Sequence, residues 1–72
     1  MADKEIALKF AKTLRIVRTQ QGLTQERLAE LAELSVEHIQ RLEGKSPSGV
    51  RLETIVKLAK ALKTSPSKLL DF

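Results

Sequence analysis

The chain contains no cysteine, tryptophan or tyrosine, and only two phenylalanines, two prolines and three glycines among its 72 residues. Each shortage removes a class of protein. Without cysteine there is no disulfide framework and no thiolate metal site, so an apolar core must hold the chain together. A single domain this short buries only about 60% of the surface that its unfolded chain exposes, which makes nearly every apolar stripe necessary. The absence of disulfide chemistry suits the reducing cytoplasm. No apolar run approaches the ~18 residues that cross a bilayer, and the start, MADKEIALKF, lacks the apolar core of a signal peptide. No membrane partner is therefore expected. With Phe10 drawn inward, little aromatic surface remains for stacking unpaired bases, which argues against RNA recognition. There is no nucleophile–base signature and no phosphate-binding glycine loop. The reading is of a non-enzyme without a cofactor.

What the chain does have is helical periodicity throughout, and no segment alternates with period two. Ile6, Phe10, Thr13, Leu14 and Val17 fall on one side of a first helix, which Gly22 ends. Leu52, Ile55, Leu58, Ala59 and Leu62 make a stripe on a fourth. Ser65-Pro66 reads as an N-cap followed by proline at the first helical position, opening a short last helix through Leu69 and Leu70. Residues 44–49, GKSPSG, form the one loop rich in turn formers. These features predict an all-α fold, five helices on one core, spanning 1–72 as a single domain.

Charge is unevenly spread under a net +4. Residues 1–22 carry five basic and two acidic side chains, residues 23–44 two and five, and residues 45–72 six and two. Basic ends around an acidic middle agree with a polyanion gripped from its flanks, and equally with ordinary solvated surface.

The middle of the chain is more specific. Thr24 can cap a helix from Gln25 to about Ala32, with Leu28 and Ala29 inward. Ser35 can cap the next, from Val36 to about Glu43, with Ile39 and Leu42 inward. Two or three residues separate these helices, so they must cross steeply, with the small Ala29 where their backbones approach and Leu34 plugging the angle. The motif spans about 24–44. Its stretch LTQERLAELAELSVEHIQRLEGK resembles the helix-turn-helix family of the lambda and 434 repressors, Cro and the Xre-type regulators. Arg18-Thr19-Gln20-Gln21-Gly22-Leu23 before it and LETIVKLAKAL after it are similar to the family too, so the likeness covers about residues 8–70. Two departures bear on the backbone: the family has glycine where this chain has Glu33, between the helices, and Lys63, after the fourth.

The resemblance implies a lambda-repressor-like fold that binds double-stranded DNA with its third helix in the major groove. With Ile39 and Leu42 inward, Glu37, Gln40 and Arg41 point outward and Val36 lies on the flank. Arg41 is the candidate for guanine, Gln40 for adenine, Glu37 for cytosine and Val36 for a thymine methyl. Glu37 and Arg41 also stand in the favourable order for a helical ion pair, and the two readings are compatible. Gln25 is implied as a backbone-phosphate contact at a helix N-terminus, with Lys45, Ser46 and Arg51 as further phosphate candidates. The family also places an ion pair at Arg18 and Glu43. His38, beside the inward face, reads as a packed residue with no ligand set around it, so no metal is expected. Glu26, Glu30, Glu33 and Glu37 read as solvated surface.

The expected role is transcriptional regulation, most simply repression. The alternative is a protein-interaction module on the same fold, such as an antitoxin-type protein, which the acidic motif favours. One short recognition helix reads too few base pairs to single out a genomic site, so a homodimer on a palindromic operator is expected. Leu8, Val56, Leu69, Leu70 and Phe72 are the apolar residues to spare, which points to the fifth helix and C-terminus as the contact surface.

Overall fold

Five helices follow one another in this computed structural model, which describes residues 2–44 and 50–71, with side chains from Glu5 onward. They are α1 (Ala2–Gln20), α2 (Gln25–Ala32), α3 (Val36–Leu42), α4 (Leu52–Ala61) and α5 (Pro66–Leu69). There is no strand among the described residues. The fold is the all-α, lambda-repressor-like arrangement.

The helix boundaries follow from local chemistry. The Thr24 hydroxyl accepts from the Arg27 N–H at 3.0 Å, and the Ser35 hydroxyl accepts from the His38 N–H at 3.0 Å, so each of the two central helices opens on a side-chain cap. Three helices close in one way. Leu23 N–H donates to the Arg18 carbonyl, Leu34 to Ala29 and Thr64 to Ala59, each backed by a shorter-range bond from Gly22, Glu33 or Lys63. This is the Schellman closure, which needs a left-handed residue at its centre. Gly22 has φ 71°, Glu33 φ 59° and Lys63 φ 55°. Two of the three positions thus carry side chains where glycine would be free of strain.

The core gathers Phe10 and Leu14 of α1, Leu28, Ala29 and Ala32 of α2, Ile39 and Leu42 of α3, Ile55, Leu58 and Ala59 of α4, then Leu62 and Leu69. Fully burying a side chain such as Leu28 or Ile39 contributes about 1.5–3 kcal/mol. Ala29 of α2 is buried in this core, and Leu34, between α2 and α3 in the chain, packs half-buried against it.

Three apolar residues sit elsewhere than their pattern predicts. Ile6 is 50% exposed, because α1 presents Ala7, Phe10, Ala11 and Leu14 inward and leaves position 6 to one side. Leu52 is 78% exposed: it is the first residue of α4, and its Cβ points back beyond the packed body of the helix. Leu69 is fully buried. It closes the core beneath α5 and so is removed from any set of spare apolar residues.

Candidate nucleic-acid interface

α3 is held by both of its ends. Its start is fixed by the Ser35 cap and by Leu34, and its end by Glu43, whose side chain is only 3% exposed. The Glu43 carboxylate accepts from Arg18 Nε at 2.7 Å and Nη2 at 3.0 Å, and from the Gln25 side-chain amide at 3.0 Å. Arg18 uses its remaining nitrogen on the Leu23 carbonyl at 2.7 Å. One carboxylate therefore joins the end of α1, the start of α2 and the end of α3. A charge this well buried is tolerable because three donors, two of them from a guanidinium, are aimed at it.

With that end fixed, the outward face of α3 is determined. Glu37, Gln40 and Arg41 are all exposed on it, while Val36 is half-buried and packs partly against the core. Glu37 and Arg41 form no ion pair, so the guanidinium is not tied to its own helix. The face offers one cation, one amide and one carboxylate, a set that can donate to guanine, bond adenine and accept from cytosine. Gln25 stands at the first position of α2, where the leading N–H groups have no intrahelical acceptor. Its side-chain nitrogen donates to Glu43, and of the leading N–H groups that of Arg27 is taken by the Thr24 cap, which leaves those of Gln25 and Glu26. Arg51 is exposed at the start of α4. Lys45 and Ser46 lie outside the described residues.

Two features escape a reading by periodicity. The bond from Gln25 to Glu43 is invisible because their side chains meet only once α2 and α3 have crossed. His38 is half-buried, as its place beside the inward face predicts, but the cleft that it borders, shared with Thr54 and Lys57 of α4, is not foreseen. A threonine interrupting the α4 apolar stripe was the available signal.

Residues 14–69 match the helix-turn-helix family model, and the chain belongs to this helix-turn-helix family. Among solved structures it is similar to the restriction-modification controller protein C.AhdI from Aeromonas hydrophila. The two are 40% identical, covering 88% of this chain and 94% of the other, with a TM-score of 0.82. It is also similar to the hypothetical transcription factor NHTF from Neisseria, at 28% identity over 94% of this chain and 75% of that one, with a TM-score of 0.85. None of the curated proteins matches the chain. No described helix is long and apolar enough to cross a membrane.

Proposed function

We propose that this protein is a sequence-specific double-stranded DNA-binding regulator of transcription. In this reading it works in the cytoplasm as a homodimer on an approximately palindromic operator, and its simplest action is repression by occupying that site. The observation that carries the reading is the pairing of an unencumbered α3 face with a buried network that fixes its direction. Glu43 is spent on holding α3, through Arg18 and Gln25, and the polar residues Glu37, Gln40 and Arg41 are left outward without side-chain partners among the described residues. Rigid positioning of a polar helix face is what base readout requires, since a bidentate contact is worth about 1–3 kcal/mol only when the donor arrives in register. In this assignment Arg41, Gln40, Glu37 and Val36 meet base edges, and Gln25, Lys45, Ser46 and Arg51 meet phosphates. The kinship with a restriction-modification controller supports the regulatory role.

Selection from random-sequence duplexes followed by gel shift tests this function. A converged, two-fold-related sequence bound far more tightly than scrambled duplex is the expected result. Failure to enrich any duplex would overturn it, and would leave protein–protein interaction as the use of the fold.

A further inference from the structure

The turn between α1 and α2, the exposed side of α2 and the end of α4 enclose an open groove of about 430 Å³, to which α3 contributes no residue. Part of its lining is apolar, made by Leu23, Leu31 and Ala61. Leu23 and Ala61 are half-buried and pack against the core. Leu31 is 42% exposed, on a helix that buries Leu28, Ala29 and Ala32. Single exposed apolar residues are ordinary, but this one extends an apolar lining within a groove. The groove is also preformed. The Gln21 side-chain amide donates to the Leu62 carbonyl at 2.7 Å and so ties the turn after α1 to the end of α4. A surface that needs no rearrangement loses less freedom when it binds.

The rest of the lining is cationic. Arg27, Lys60 and Lys63 border the groove, and no carboxylate does. Lys60 and Lys63 have no ion-pair partner among the described residues. Arg27 pairs with Glu30, but both side chains are more than half exposed, the condition in which an ion pair contributes least. The backbone supplies an independent observation. Lys63 holds φ 55°, a conformation that glycine takes freely and lysine does not. Strain of this kind persists where a site has a use for it. Here the strained residue sets an ammonium at the groove.

These features select the occupant. A duplex would meet the cations and leave the apolar lining unused. A two-fold contact between copies would set the patch against itself, cation against cation. A segment whose apolar side chains are flanked by carboxylates satisfies both parts of the lining. We infer that this groove docks an acidic amphipathic segment of a partner protein. Its apolar side chains lie over Leu23, Leu31 and Ala61, and its carboxylates reach Lys60 and Lys63. The surface is separate from the α3 face, so the inference goes beyond the DNA-binding reading and does not depend on it.

The test pans a phage-displayed library of random dodecapeptides on the whole chain. A selected peptide, made synthetically, is then measured by fluorescence anisotropy against Leu31→Ser, Lys60→Gln, Lys63→Gly and, as a control on α1, Lys9→Gln. Enriched sequences should combine apolar residues with Asp or Glu beside them. Leu31→Ser should weaken the peptide about tenfold, as truncation of an anchor contact does. Lys60→Gln should weaken it about threefold at low salt and less at high salt, since rim charges are screened. Lys63→Gly should melt higher than the parent and yet bind the peptide about threefold more weakly, a combination that a merely structural lysine does not give. Lys9→Gln should change nothing. No enrichment, enriched peptides without carboxylates, or a peptide indifferent to both Leu31→Ser and Lys60→Gln overturns the proposal. Dissociation of a dimer by Leu31→Ser would give the groove to a second copy, and a lower salt slope of duplex binding in Lys60→Gln would give it to DNA. Either result overturns it too.

Discussion

Arg18 and Glu43, 25 residues apart in sequence, face each other through two parallel hydrogen bonds, Nε to Oε2 at 2.7 Å and Nη2 to Oε1 at 3.0 Å, with their side chains 11% and 3% exposed. Fork-to-fork geometry of this kind fixes direction as well as distance. Because the same carboxylate also receives Gln25, the pair is the joint at which three helices agree on where α3 points.

Removing one partner of that joint should cost far more than a surface substitution. Glu43→Ala leaves the Arg18 guanidinium facing a buried gap and strips Gln25 of its acceptor. The expected loss is about 3–5 kcal/mol, against about 0.5 kcal/mol for an ordinary surface change. Urea melting of Glu43→Ala, with Glu30→Ala as the exposed comparison, measures it. Equal midpoints for the two variants would show that the pair is decorative.

Backbone strain gives a prediction of opposite sign. Glu33 and Lys63 hold φ of 59° and 55° at the centres of two Schellman closures. A left-handed non-glycine residue costs about 1–2 kcal/mol, partly offset by the extra freedom glycine gives the unfolded chain. Glu33→Gly and Lys63→Gly should therefore each stabilise the domain by about 0.5–1 kcal/mol. Gly22→Ala should destabilise it by about 1 kcal/mol for the same reason, since open space around Gly22 leaves only the φ of 71° to object. A Glu33→Gly variant that melts no higher than the parent would mean that Glu33 gains something in the turn that glycine cannot replace.

The contrast between these positions explains how much could be read from the chain itself. The caps at Thr24 and Ser35, the inward Leu28, Ala29, Ile39 and Leu42, and the bounds of α2 and α3 were legible because each depends on neighbours within one or two turns. Ile6 and Leu52 were not, since which edge of a stripe is covered depends on where other helices end. Leu69 looked spare for a similar reason: periodicity in a four-residue helix says nothing about what lies beneath it. At the site, the outward residues of α3 followed from helical geometry once its inward face was known. The cleft residues His38, Thr54 and Lys57 come from two helices, and only tertiary packing brings them together.

Specificity should separate from affinity at single residues. Arg41→Ala should relax preference at one base pair of the operator by about 1–3 kcal/mol, visible as degeneracy at one position per half-site in repeated selection. Lys45→Ala, removing a phosphate candidate, should weaken every sequence alike and lower the salt slope by about one unit. If Arg41→Ala weakens all duplexes equally, its guanidinium serves the backbone alone and the reading of guanine must pass to another residue.

The last prediction concerns the number of copies. A seven-residue recognition helix meets only a few base pairs, too little to distinguish one site among roughly 10⁶ competitors. Two copies about 34 Å apart along one face of the duplex would double the information read. With Leu69 buried, the exposed apolar residues that remain available for a contact include Leu52 and Val56, four apart on one side of α4, Leu70 after α5, and Leu8 on α1. α4 and α5 are in contact with each other, which makes one continuous surface from their exposed residues the economical choice for a two-fold interface. Val56→Glu should then shift sedimentation from dimer toward monomer and weaken binding to a palindromic duplex, with little effect on the helical content of the chain. Leu8→Glu, on α1, should leave the assembly unchanged. Were Leu8→Glu to dissociate the dimer and Val56→Glu to spare it, the interface would belong to α1. A single copy per palindrome at micromolar concentration, free and bound, would remove dimeric recognition altogether.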